Sequence, residues 1–405
     1  MTGIDHRTVT TDRGVVTGAA EGQAICFRGI PYAASPIGDL RFAPPQPHPG
    51  WTGIRRTVQA GPSVPQGPSR LEQVMGHRVP DWNEDGCLTV NVFRPMAPDG
   101  DEASRPVLVW FHGGGFTSGS GGWDWYDGAR LAVLGDIVVV TANYRVGPLG
   151  YLYLAEIGAN NLGLQDQSAL LRCVRDNITA FGGDPDNVTV GGQSAGAYSA
   201  LSLALDEHTT GLISRVLLES GPWGLLPQGP QNAADNAEAY LRLLGVPVGP
   251  GAGKLLRALP IEQLLSAYRQ LAKQVSRPGN VAPPMYPVLG GAAVPAAWQQ
   301  GLATGALEGK ALLIGTTRDE ATAFFGSDPR IQRLTSGGAL DILTDSLGGQ
   351  AREVYQRHAA QLPHATPAQI FTAAQTDALF RNAALEIADH HAAAHQSIKP
   401  LTRRR

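Results

Sequence analysis

The chain has 405 residues, which suits one large α/β domain or two ordinary ones. Hydrophobic residues at 43 % and charged residues at 17 % exclude an intrinsically disordered chain, while 50 glycines and 30 prolines call for many tight loops. The formal charge of −3 is too balanced to steer the protein toward nucleic acid or an anionic membrane surface, so a small neutral partner is expected.

The opening MTGIDHRTVTTDRG lacks the apolar core of a signal peptide, and no apolar run approaches the roughly 18 residues of a membrane helix, so a cytoplasmic location is expected. Short alternating runs follow, Ala24 to Phe27 and Leu88 to Phe93, separated by a Pro/Gly-rich stretch around Pro36 to Pro68. They read as antiparallel edge strands joined by long surface loops. From about residue 105, strand-like runs alternate with helical patterns, as in a doubly wound α/β sheet. The clearest strands are Pro106 to Phe111, Asp136 to Ala142, Val188 to Gly191, Ser214 to Glu219 and Ala311 to Gly315. Leu164 to Asn177 reads as a helix with Leu164, Ala169, Leu170, Cys173 and Val174 on its apolar face. Helical patterns dominate Ala233 to Gln274, and with the proline-rich Pro278 to Pro295 they suggest a cap. Pro367 to Ala394 is rich in helix formers, and the terminal Arg403-Arg404-Arg405 reads as a solvated end. Cys26, Cys87 and Cys173 are scattered and odd in number, so they are read as buried small hydrophobes rather than a disulfide framework or a zinc site.

Chemistry concentrates in two motifs at strand ends. Val188 to Gly196, VTVGGQSAG, is a β-branched strand running into G-x-S-x-G, and the helical run Ala197 to Leu205 follows. That context marks Ser194 as a nucleophile on a sharp strand-to-helix turn, since a side chain at Gly192 or Gly196 would block the turn. The second motif, Phe111-His-Gly-Gly-Gly-Phe116, directly follows a strand. Its glycines allow backbone N–H groups of Gly114 and Gly115 to turn inward and form, with that of Ala195, an oxyanion hole. His112 precedes the nucleophile and belongs to this loop, so it reads as an orienting residue rather than the base.

With these motifs in view, the chain resembles the type-B carboxylesterases, the family of cholinesterases and para-nitrobenzyl esterases. Matching segments occur in order: FRGIPYA at Phe27 to Ala33, LRFAPPQ at Leu40 to Gln46, EDGCLTVNV at Glu84 to Val92, HGGGF, NYRVGPLG at Asn143 to Gly150, NLGLQDQ at Asn161 to Gln167, and AFGGDPDNVTVGGQSAG at Ala180 to Gly196. The resemblance implies an α/β-hydrolase fold, with a mixed doubly wound sheet, long N-terminal loops and a helical cap. It would span residues 1–395 as one domain, leaving 396–405 as a basic tail outside the family pattern. The implied activity is serine-dependent hydrolysis of small neutral esters through an acyl-enzyme, with no metal or organic cofactor and no particular oligomeric state.

The resemblance also assigns Glu320 in GTTRDEATAFF as the triad acid, with Asp319 as the rival carboxylate. It pairs Arg41 with Glu84 and Arg145 with Asp166 as scaffold. Cys87 matches a disulfide cysteine of secreted relatives, but Gly86 is inserted before it and Val64 stands near the partner's place, so no bridge is expected. Cholinesterase activity is not expected, because Gly76 stands where those relatives carry a choline-stacking tryptophan, and Trp82 is too close to Glu84 to match.

One component departs from the pattern. The family's catalytic histidine lies on a loop after a final strand, some tens of residues beyond the segment matching FRNAALEIADHHAAA, whereas this chain runs only 11 residues past Ala394. His358, His364, His390, His391 and His395 follow Glu320, but none follows a strand pattern. The catalytic histidine is therefore unassigned, and the expectation is a chain lacking the family's last strand. A catalytically silent relative, or a binding protein on the same scaffold, is the alternative to an active esterase.

Overall fold

The computed structural model describes residues 7–79, 81–96 and 103–396. The expected terminal tail falls largely outside them. Eleven strands occur among the described residues: β1 (Thr8–Thr11), β2 (Gly14–Thr17), β3 (Ala19–Glu21), β4 (Ala24–Pro31), β5 (Ile54–Arg56), β6 (Thr89–Pro95), β7 (Arg105–Phe111), β8 (Val138–Ala142), β9 (Gly183–Gln193), β10 (Arg215–Glu219) and β11 (Ala311–Gly315). Eight form one sheet in the order β11-β10-β9-β7-β8-β6-β4-β3, and β1, β2 and β5 form a small second sheet. From β8 through β7, β9 and β10 to β11 every pairing is parallel; β6, β4 and β3 complete the other end antiparallel. Sequence expectation and structure agree on this mixed, doubly wound sheet.

Two strands run longer than their patterns suggest. β9 starts at Gly183 rather than Val188, because the register against β7 shifts between Arg105 and Val107 and lets the irregular GDPDN segment join the ladder. β4 continues past Phe27 to Pro31 through a register shift between Phe27 and Ile30. Gly29 sits in that irregularity at φ 74°, where a Cβ would lie 2.6 Å from Gln59 O. A glycine-assisted bulge of this kind breaks the alternation that a strand pattern depends on.

Helices cover the sheet where the chain is apolar. Leu162–Asn177 buries Leu162, Leu164, Leu170, Leu171 and Val174, while Ala195–Leu205 is buried along nearly its whole length and packs against β9 and β10. A helix apolar on all sides belongs inside a fold. The expected cap resolves into Pro230–Leu244, Ala252–Ala258 and Ile261–Val275, the first and last joined by Tyr240 Oη donating to Leu264 O at 3.0 Å. Asn161 fastens the proline-rich segment: its side chain accepts from Val288 N–H (2.7 Å) and donates to Val288 O (2.9 Å) and Ala292 O (3.0 Å). A satellite apolar cluster, with Phe325, Ile331, Leu343 and Phe371 at its centre, joins the helices of residues 322–376 beyond β11.

Candidate active site

The C-terminal ends of the parallel strands converge on Ser194. β9 ends at Gln193, Ser194 adopts φ 56° and ψ −121°, and helix Ala195–Leu205 begins at the next residue. Positive φ strains a residue with a side chain and persists only where its surroundings hold it. Here Ser194 N–H donates to Glu219 O at the end of β10, and Tyr198 N–H donates to Ser194 O, each at 2.9 Å. The flanking glycines are required by space: a Cβ on Gly196 would stand 2.1 Å from Phe111 O, and one on Gly192 would stand 2.5 Å from the carbonyl carbon of Gly196. The first N–H groups of the helix have no intrahelical acceptor and carry the positive end of its dipole, which favours negative charge developing beside Ser194.

Opposite the serine, the loop leaving β7 carries Gly114 at φ 117° and Gly115 at φ 61°. A Cβ on Gly114 would collide with Ser118 O at 2.0 Å, so the turn requires glycine. Gly114, Gly115, Ser194 and Ala195 line one chamber, so the structure brings both sequence motifs together. His112 is buried and stacked on Tyr144, with ring centroids 4.2 Å apart, and its Nδ1 donates to Gly113 O at 2.8 Å. Burial pulls its pKa down to about 4 despite the opposing effect of that hydrogen bond, so it is neutral at pH 7. Tyr144 Oη donates to His112 O at 2.5 Å, and Asn143 Oδ1 accepts from Ser120 Oγ and Gly121 N–H at 2.9 Å. The NYR segment therefore buttresses the glycine loop, a role its sequence does not advertise.

Glu320 and Asp319 occupy different surroundings. Glu320 is half-buried on the loop following β11, where its Oε1 accepts the Thr317 N–H at 2.7 Å. Asp319 is exposed, paired with Arg318 at 2.8 Å, and faces a separate open cavity with His364. Glu320 lies outside the chamber wall, which is completed by Phe324, four residues farther along, and by Phe380. Sequence reasoning missed both aromatics. Phe380 sits in a π-helical turn, Asp377–Arg381, a local irregularity often found at functional sites.

Two of the late histidines are engaged elsewhere. His358 is hydrogen-bonded to Val354 O (2.9 Å) and Asp377 Oδ2 (3.1 Å), and His391 to Lys310 O (2.8 Å). His390 is exposed, and the side chain of His395 lies outside the described residues. Among the described residues, no histidine is hydrogen-bonded to Ser194 or Glu320.

The scaffold pairs form as expected. Arg41 contacts Glu84 at 2.6 Å, and Arg145 contacts Asp166 at 2.7 Å with both side chains buried. All three cysteines are free, with thiol pKa values pushed up to about 12 by burial. Among the described residues, no group of three or more His, Cys, Asp or Glu side chains is placed to hold a metal, and no helix is long and apolar enough to cross a membrane.

A mainly parallel sheet with a strained serine between strand and helix, facing a glycine-rich turn, defines an α/β-hydrolase with a nucleophile elbow. The carboxylesterase family model matches residues 5–398, and the chain belongs to that family of serine carboxylic-ester hydrolases. The para-nitrobenzyl esterase of Bacillus subtilis (strain 168) is 39 % identical over 360 residues, covering 87 % of this chain and 71 % of the relative. The phenmedipham hydrolase of Pseudarthrobacter oxydans is 36 % identical over 384 residues, covering 94 % and 75 %. Among solved structures, a carboxylesterase of Geobacillus stearothermophilus at pH 6.2 matches with a TM-score of 0.84 and 36 % identity, over 96 % of this chain and 78 % of that one.

Proposed function

We propose that Ser194 attacks the carbonyl carbon of a carboxylic ester, that the N–H groups of Gly114, Gly115 and Ala195 hold the oxyanion, and that Glu320 is the acid that would orient the base receiving the serine proton, a histidine not assigned among the described residues. The alcohol then leaves with a proton, and water releases the acid from the acyl-enzyme. Each oxyanion donor contributes about 2.7 to 4 kcal/mol to the transition state in such sites. The observation that carries this reading is the strained Ser194 at the helix start, sharing one chamber with both loop glycines. Leu71, Phe116, Leu225, Phe324 and Phe380 make that chamber largely apolar, which suits a short uncharged group on one side of the ester. In this reading residues 1–395 act as one domain, in the cytoplasm, without a metal or organic cofactor.

The test is hydrolysis of 4-nitrophenyl butyrate by the purified full chain beside Ser194→Ala, with circular dichroism to establish that both are folded. Turnover that disappears in Ser194→Ala supports the reading. Equal rates for the two folded proteins overturn it and favour the catalytically silent relative, for which the engagement of His358 and His391 elsewhere is the supporting observation.

A further inference from the structure

A second cavity of about 200 Å³ adjoins the Ser194 chamber, and Arg70 and Pro283 belong to the walls of both. Besides Arg70, it is lined by Arg269 and Arg277, and among the described residues no aspartate or glutamate lines it. Elsewhere the described arginines commonly meet carboxylates, as in Arg28 with Glu21, Arg41 with Glu84 and Arg145 with Asp166. These three do not. Arg70 Nη1 donates only to Val281 O (2.8 Å), Arg277 Nη1 donates to Gln274 O and Ser276 O (both 3.0 Å), and Arg269 has no ion pair or side-chain hydrogen bond among the described residues. Burial lowers the pKa of Arg70, and no carboxylate offsets that desolvation. Yet Arg70 as a residue remains exposed to solvent and lines the cavity. Tyr268 lines the same cavity with a buried hydroxyl that has no hydrogen-bond partner. Thr117, also in the wall, donates to Gly114 O at 3.0 Å and ties the cavity to the oxyanion loop.

Three guanidinium groups around a recess without a counter-charge form a receptor for an anion, since a planar guanidinium matches a carboxylate in two parallel hydrogen bonds. We propose that this cavity is an anion subsite, and that the ester processed at Ser194 carries a carboxylate on the half extending past Arg70. The proposal rests on Ser194 being the nucleophile. The neutral ester expected from overall charge then describes only the half held in the apolar chamber. Net charge averages over the whole surface and so conceals a local cluster of this kind.

Binding, rather than turnover, tests the subsite. Full-length Ser194→Ala protein would be titrated calorimetrically with two acid esters, the monophenyl ester of adipic acid and 4-(butanoyloxymethyl)benzoic acid. Each is compared with its carboxamide twin, so the charge lies on the acyl side in one pair and on the alcohol side in the other. At low salt, one acid is expected to bind at least about tenfold more tightly than its twin. The preference should collapse in Arg70→Gln and shrink in the double variant Arg269→Gln/Arg277→Gln, whose exposed substitutions leave the core untouched. It should also shrink in 1 M salt, where the screening length is about 3 Å. Equal affinity within both pairs, or a preference indifferent to the arginines and to salt, overturns the proposal. An unreactive Ser194 would appear in the separate turnover assay and leave these binding ratios readable.

Discussion

Replacing Asp166 with asparagine should destabilise the protein by about 3 to 5 kcal/mol. The Asp166 side chain is fully buried, and that of Arg145 is 2 % exposed. Oδ2 accepts from Arg145 N–H (2.9 Å) and Nε (2.8 Å), and Oδ1 accepts from Nη2 (2.7 Å). The fourth contact, Nη1 to Ala43 O at 2.7 Å, would survive. Burial alone would lower the pKa of Arg145, but Asp166 outweighs it and holds the value above ordinary arginine. Asparagine preserves the shape and one acceptor while leaving the guanidinium charge without a counter-ion. A protein with the usual margin of about 5 to 15 kcal/mol would lose a large fraction of its stability. Urea unfolding of wild type and Asp166→Asn gives the difference directly. The double variant Arg145→Met/Asp166→Leu should recover more than half of it, because the cost arises from one uncompensated charge. Hydrogen exchange at Gly113 to Phe116 should also accelerate, since Asn143 and Tyr144 beside Arg145 hold that loop. A loss below about 1 kcal/mol would refute the buried-charge argument.

Further outcomes follow from the site. His112 has a folded-state pKa of about 4 against an ordinary 6.5. The unfolded chain therefore binds its proton first, and stability falls as pH drops from about 6.5 toward 4, by about 3 kcal/mol at 1.36 kcal/mol per tenfold. Urea unfolding at pH 7 and pH 4 should show that extra loss in wild type relative to His112→Gln, and parallel losses in both would remove the assignment. Glu320→Gln should lower any Ser194-dependent ester hydrolysis by about 10²- to 10⁴-fold, while Asp319→Asn should change it less than about threefold. The opposite ranking in a 4-nitrophenyl ester assay would transfer the acid's role to Asp319.

The sequence by itself determined the parallel half of the sheet and the two motifs facing each other across the site. Both are local: β-branched runs such as VVVTA form strands from short-range preference, and glycines at 114, 192 and 196 are required where backbone must approach backbone. Much of the N-terminal organisation had no such signal, because β1, β2, β3 and β5 are only three or four residues long and β4 is interrupted at Gly29. The tertiary structure alone decided what surrounds the serine. Phe324 and Phe380 reach the chamber from segments far along the chain, and Arg70 is separated from Arg269 and Arg277 by about two hundred residues. It also distinguished the half-buried Glu320 from the exposed Asp319 and directed His358 to Asp377. Periodicity and turn chemistry act within a few residues, whereas charge pairing, burial and the walls of a cavity depend on residues brought together only when the chain closes on itself.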